Sequence, residues 1–439
     1  MGSRRGKLVF LVAAAALWMA ASAARAALPI HIWTTSSGAR VYFVASRGIP
    51  MLDINVDFDA GGRRVPAGKA GLGGLTYTLV RAGSATRSEE EISRRIADVG
   101  AQLDGSVDRD RAGFSLRTLS SERERGQAIA TFAEILQTPV FPEAAFAREK
   151  ARLVDGIREE ETKPEAIVSK AFYRLLYAAH PYALAPTPET VLRIEGADVE
   201  GFYRANYVAE RAVVTILGDV DRELAGRIAE QLTAGLPRGA GAPAPLPAVL
   251  QPRGETVHIA HPASQSHILL GLPAMTRKDP DYFPLLVGNY ILGGGGFVSR
   301  LTLEVREKRG YAYSVYSYFL PLAQEGPFQI GLQTKKEQAE EALARVRAVL
   351  GEFLAQGPRA AELKAAKQNL VGGFALRIDS NRKLLEQVAL IGFYQLPLTW
   401  LDDFTARVEK VSVDQIRAAF ARHVRPDNLV TVVVGSGEK

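Results

Sequence analysis

The chain has 439 residues, of which 47% are hydrophobic and 23% charged, with 40 glycines and no cysteine. That length exceeds one ordinary core and calls for two or more domains, and the composition is that of a globular chain. Without cysteine, disulfides, thiol nucleophiles and thiolate metal sites are excluded.

The N-terminus opens with Arg4, Arg5 and Lys7, continues through an apolar run from Leu8 to Ala21, and reaches the small-residue step Ala24-Arg25-Ala26. Residues 1–26 read as a secretory signal peptide, with the remainder starting near Ala27; a retained anchor is the other reading. Beyond residue 26 the chain holds 50 Lys+Arg against 48 Asp+Glu, so the basic excess lies largely in the leader. This balance gives no nucleic-acid footprint, and no later run is apolar enough to span a membrane. A periplasmic or secreted location is expected.

Residues 41–45 and 51–58 predict strands, the second through the alternation of Leu52, Ile54, Val56 and Phe58. Residues 70–80 predict a helix. Ser88 followed by Glu91 is a capping box that opens another, to about Val99. Residues 102–119 predict two strands around Asp108-Arg109-Asp110, and 121–136 and 142–161 predict helices. Residues 235–254 hold Pro237, Gly239, Gly241, Pro243, Pro245, Pro247 and Pro252, a linker that cannot keep a regular element. It separates a first lobe, 27–234, from a second, 255–439. The second repeats the theme: a helix near 282–292, strands near 312–320 and 327–332, and long helices from Lys336.

The two lobes also end alike. Asp198 to Tyr203 and Asp414 to Phe420 each precede a β-branched strand. Thr215 and Thr431 are 216 residues apart, as are Val214 and Val430; the closing Gly218 and Gly435 miss that spacing by one. Duplication is the expectation. The fold class is α+β, two related lobes, each a mainly antiparallel sheet with helices packed on one face.

The six histidines include no pair one helical turn apart with a Glu between or beside them. His258 and His261 are three apart in a predicted strand and so face opposite ways. The run Gly293 to Gly296 lacks the Gly-Lys-Ser/Thr of a phosphate loop, and reads as a hinge or a close approach of two backbones. No Gly-x-Ser-x-Gly is present. Residues 299–315 differ: a charged helical end carrying Arg306, then Gly310, then an alternating aromatic strand beginning near Tyr313. Arg and Tyr directed at one point suit a peptide carbonyl or a developing oxyanion. By composition alone the segment reads rather as a solvated charge cluster beside a core-packed tyrosine.

With these blocks, together with Gly68 to Leu72, His180-Pro181-Tyr182, Thr187 to Thr190 and Gly218-Asp219-Val220, the chain resembles the pitrilysin/insulinase family of zinc peptidases over nearly its whole length after the leader. The resemblance implies that Arg306 and Tyr313 are the pair that contacts bound peptide. It also implies a zinc motif, H-x-x-E-H, in the first lobe, and here the chain departs. The two histidine positions read Gly74 and Thr78, the base position Tyr77, and the later glutamate position Gly156. A neighbouring register offers Asp155 or Glu159, but a lone carboxylate does not replace two imidazoles. No metal or other cofactor is therefore expected in this chain. Some family members work as heterodimers, which implies a paralogous partner bearing the zinc motif, with peptide substrates between the two. A non-hydrolytic scaffold of the same fold, and a peptidase with unconventional ligands, are the other readings.

Overall fold

The structure is a computed structural model that describes residues 28–239, 241 and 243–435. The leader expected at 1–26 lies outside the described residues. Among the described residues no helix is long and apolar enough to cross a membrane.

The first sheet has six strands: β1 (His31–Thr34), β2 (Arg40–Ala45), β3 (Met51–Phe58), β4 (Gln102–Val107), β5 (Ala112–Leu119) and β6 (Val213–Gly218), in the order β1-β2-β6-β3-β5-β4. The second has five: β7 (Thr256–Ile259), β8 (Gln265–Met275), β9 (Ser314–Phe319), β10 (Gly326–Lys335) and β11 (Val430–Val434), in the order β7-β11-β8-β10-β9. Dropping β1 makes the two orders the same. In each sheet the last strand in sequence runs parallel to the first of the matching set, β6 with β2 and β11 with β7, and the other pairs are antiparallel. Thr215 and Thr431 hold matching places. Each is flanked by a parallel strand (Tyr42, Thr256) and an antiparallel one (Asn55, Leu270). Gly218 and Gly435 both leave their strands at positive φ, +149° and +104°.

The first lobe's helices are α1 (Leu72–Leu79), α2 (Glu89–Ala97), α3 (Glu122–Gln137), α4 (Glu143–Glu160), α5 (Pro164–Tyr177), α6 (Pro188–Leu192), α7 (Gly196–Asn206) and α8 (Arg222–Thr233). The Ser88 capping box is formed at the start of α2: the Glu91 amide donates to Ser88 Oγ at 3.3 Å and the Ser88 amide to Glu91 Oε2 at 2.9 Å. In the second lobe come α9 (Tyr282–Asn289), α10 (Ala339–Gln356), α11 (Ala360–Gly372), α12 (Asn381–Tyr394), α13 (Trp400–Lys410) and α14 (Val413–His423).

Each lobe covers one face of its own sheet with most of its helices. On β3 that face carries Leu52, Ile54, Val56 and Phe58, all fully buried. The opposite face is covered by a helix of the other lobe. Helix α12 lies on β2, β3 and β6, packing Leu385 and Val388 against Tyr42, Val44, Val213 and Leu217. Helix α5 lies on β8 and β11, packing Val168, Phe172 and Leu176 against Leu269, Val430 and Val432. This exchange explains why β6 and β11 are apolar at nearly every position: a strand buried on both faces has no polar side.

Asp110, in the β4–β5 turn, fastens the lobes. Its fully buried carboxylate accepts from Arg63 (3.0 Å) and Tyr182 (2.5 Å) of the first lobe, and from Tyr394 (2.8 Å) and the Ala323 amide (2.8 Å) of the second.

Candidate functional site

Helix α1 places the first-lobe positions. Gly71, with φ +104°, admits the chain to the helix, and its last turns pack against α4 and α7. Gly74 lies half-buried; a Cβ built there meets nothing within 4 Å. Thr78 Oγ1 donates back to the Gly74 carbonyl at 3.1 Å. Tyr77, 8% exposed, packs its ring on Phe114 of β5 with centroids 4.8 Å apart. Its hydroxyl reaches Gly105 of edge strand β4, where a side-chain Cβ would come within 2.8 Å of it. Burial holds the phenol above its ordinary range. Gly156, on the exposed side of α4, also leaves open space. The neighbouring acids are engaged with solvent-side cations, Asp155 with Arg158 at 3.5 Å and Glu159 with Lys163 at 2.7 Å.

The donor set needed for zinc is three protein ligands and an open position. Two glycines, a buried phenol and a self-bonded threonine do not supply it, so these residues do not fit the ion.

The second-lobe positions are built differently. After α9 the chain makes two wide turns with five-residue hydrogen-bond spacing, Tyr290–Gly294 and Thr302–Glu307, with a short 3₁₀ turn between. Such turns recur at functional sites. The glycine run is a close backbone approach: a Cβ on Gly293 would stand 2.6 Å from the Ser317 amide. Gly310, at φ +65°, reverses the chain, and Tyr313 comes just before β9.

The structure brings Arg306 and Tyr313 together. The Arg306 guanidinium lies 5.3 Å from the Tyr313 ring centroid and 4.9 Å from that of Phe297. Its one ionic neighbour among the described residues is Glu307, at 3.5 Å. Tyr313 is 80% exposed and Phe297 69%. Beside them a cavity of about 310 Å³ opens between the glycine run and β9. Val298, Leu303 and Tyr316 add exposed apolar surface.

The turn carrying Arg306 is clamped from beneath. Glu304 accepts from Lys308 (2.6 Å), Arg309 (2.8 Å) and Arg345 of α10 (2.6 Å), which lowers its pKa to about 2. Arg300 forks onto Glu362 of α11 at 2.7 and 3.0 Å.

The comparisons with known proteins give the family. Residues 41–186 match the family described as Insulinase (Peptidase family M16), and residues 193–370 that described as Peptidase M16 inactive domain. The crystal structure of a peptidase M16 inactive domain from Pseudomonas fluorescens superposes with a TM-score of 0.90 at 36% identity, covering 94% of this chain and 99% of that one. The chain is an inactive member of the M16, or insulinase, peptidase family. An uncharacterized zinc protease of Streptomyces coelicolor is 27% identical over 366 residues, 79% of this chain and 77% of its own. A non-peptidase homolog of Helicobacter pylori is 24% identical over 397 residues, 89% of this chain and 90% of its own. As an M16 protein the chain keeps the fold and is non-catalytic.

Three further groups bear on metal chemistry. His258 is on β7, and His261 lies beyond its end with Nε2 at 3.1 Å from the Thr162 carbonyl. Among the described residues, Asp279, Asp281 and His423 form the one cluster of potential ligands. His423 spans the Ala274 carbonyl (2.9 Å) and Asp281 (3.1 Å), and Arg422 forks onto the same Asp281 at 2.7 and 2.8 Å. Arg422 already supplies the positive charge, so the cluster reads as a clamp holding the end of α14. Sequence reasoning missed Phe297; its signal was a large aromatic directly following a glycine run.

Proposed function

We propose that this chain is the non-catalytic subunit of a two-chain metallopeptidase, exported to the periplasm or beyond, that presents Arg306 and Tyr313 to a peptide held against a partner's zinc. The observation that carries this reading is the contrast in exposure. The zinc corner offers two glycines, a buried phenol and a threonine bonded to its own helix, while Tyr313 stands at the surface beside Arg306, whose one ionic neighbour among the described residues is the adjacent Glu307. A guanidinium offers several fixed N–H groups and a phenol one O–H, and both favour the negative charge that develops on a carbonyl oxygen under attack. Such donors act from a second chain as well as from the first, because only their position in the transition state matters. Phe297 and Tyr313 hold the guanidinium on two sides, limiting its freedom before substrate arrives. The exposed Phe297, Val298 and Tyr316 suit contact with an apolar peptide or with the partner itself. The basic, apolar and small-residue succession at 4–26 supports export.

A purely scaffolding role is the second reading, favoured by the name of the H. pylori relative, a non-peptidase homolog. One experiment separates the two. This chain and a paralogue bearing H-x-x-E-H are purified and assayed for peptide cleavage alone and mixed. The proposal expects this chain to be inactive, the mixture to exceed the partner alone, a chelator to abolish the gain, and Arg306→Ala to remove it. A mixture no more active than the partner leaves only the scaffold.

A further inference from the structure

The lobes do not close completely along their seam. Between the start of β2, the approach to β6 and the 276–278 bend of the second lobe lies a cavity of about 530 Å³. Five cations line it: Arg40, Arg63 and Arg211 from the first lobe, Arg277 and Lys278 from the second. Two carboxylates, Asp59 and Glu210, face them, and both are occupied. Asp59 accepts from Arg63 at 2.9 Å and Arg64 at 2.6 Å. Glu210 accepts the Gly239 amide at 2.9 Å and has Arg238 at 3.8 Å. Arg63 is committed to Asp59 and Asp110.

Four cations remain. Among the described residues, Arg40, Arg211, Arg277 and Lys278 form no ion pair. Arg40 reaches the Gly392 carbonyl at 3.4 Å, and Arg211 the Ala205 carbonyl. The Nε atoms of Arg211 and Arg277 are buried with no acceptor. Buried charged donors without a partner are destabilising, and in native proteins they mark a bound water, an ion or a working site. The wall is also fixed in place. The Arg277 amide donates to the Leu322 carbonyl at 2.7 Å, and its guanidinium rests 5.3 Å from the Tyr394 ring, which is itself tied to Asp110.

We propose that this seam binds a small multivalent oxyanion. Guanidinium groups converge there from both lobes, keep their charge at every physiological pH and offer paired donors to oxygen. A monovalent ion leaves most of that charge uncompensated, whereas a di- or trianion of two or three oxyacid groups spans the seam. Bound there it touches both lobes, so its binding stabilises their association by linkage. The site is separate from Arg306 and Tyr313 and does not depend on the proposed partner.

Calorimetric titration of the purified protein with inorganic pyrophosphate, and separately with citrate, at ionic strength held constant with sodium chloride, tests this. At least one of the two binds at a single saturable site and raises Tm; the tighter one tells phosphate from carboxylate. Lys278→Glu, an exposed position whose change spares the fold, weakens Kd about tenfold or more, and Arg277→Gln does the same. Arg94→Gln, on the exposed side of α2, leaves Kd unchanged. No saturable binding of pyrophosphate or citrate, or a Kd that Lys278→Glu does not move, overturns the proposal.

Discussion

Tyr77 and Tyr313 stand one in each lobe, at the two places where the sequence resemblance puts the family's chemistry, and their surroundings are opposite. Tyr77 is buried against Phe114 and fills the corner between α1 and β4. Tyr313 is almost fully solvent-exposed beside an arginine with no strong partner. A duplicated scaffold has thus kept its shape while its two sites took separate courses. One became packing, and the other stayed an open surface. The lesson is that a lost catalytic motif in one lobe says little about the other. Packing accounts for the first tyrosine, and the proposed contact with a peptide would account for the second.

The strongest attempt to break this contrast rebuilds the first corner. Gly74→His, Tyr77→Glu, Thr78→His and Gly156→Glu together restore the donor set, and the two glycine positions have room for a side chain. Metal analysis after dialysis against zinc should then find about one equivalent in the rebuilt chain and none in the native one. Failure to bind would mean that the backbone of the corner has drifted along with its side chains.

Next in size is Arg306→Ala in the mixed peptidase assay, with an expected loss of about 100-fold in kcat/KM, the usual effect of removing an oxyanion donor. The fold of this variant should be unchanged. In the third test the two tyrosines are compared directly by urea unfolding. Tyr77→Ala should cost about 3 kcal/mol, as for a large core aromatic, and Tyr313→Ala less than about 0.5 kcal/mol. Equal costs would erase the distinction.

The finest test uses pH. Asp57, on the β3 face that meets α12, is buried beside Arg111 at 2.9 Å, yet burial outweighs that pairing and raises its pKa to about 6. Between about pH 4 and pH 6 its folded form holds a proton that the unfolded chain has released. The contribution to stability is therefore complete below about pH 4 and is lost as pH rises through 6, a change of up to about 3 kcal/mol. Asp57→Asn should flatten this slope. Glu304 behaves in the opposite sense: its stabilising clamp is complete above the ordinary glutamate pKa of 4.5 and is lost as pH falls toward about 2. Glu304→Gln should remove that smaller acid limb.

Much of this was legible in advance, for local reasons. The alternation in β3 fixed both its ends, and the Ser88–Glu91 pair marked the first turn of α2. The matched closing strands carried the duplication, because period-two and capping signals depend only on neighbours in the chain. The segment at 299–315 gave the Arg306–Tyr313 spacing, although β9 begins at Ser314, later than the aromatic pattern implies. Helix α9 likewise stops at Asn289, where a wide turn takes over. What stayed hidden is long-range. An apolar helical stripe does not say which sheet it covers, so nothing in residues 164–177 or 381–394 announced that each serves the opposite lobe. The seam cavity gathers residues from positions 40, 211 and 277, whose unpaired charges mean nothing until the chain is folded.

The exchange of α5 and α12 has one more consequence, for how the molecule can come apart. Each half lends the other a structural member that it cannot replace from its own length, and the proline-rich connector merely joins them in sequence. Proteolytic nicking within 243–250 should therefore yield two fragments that still migrate as one particle in gel filtration. Either fragment expressed by itself should show bare valine-rich sheet and self-associate.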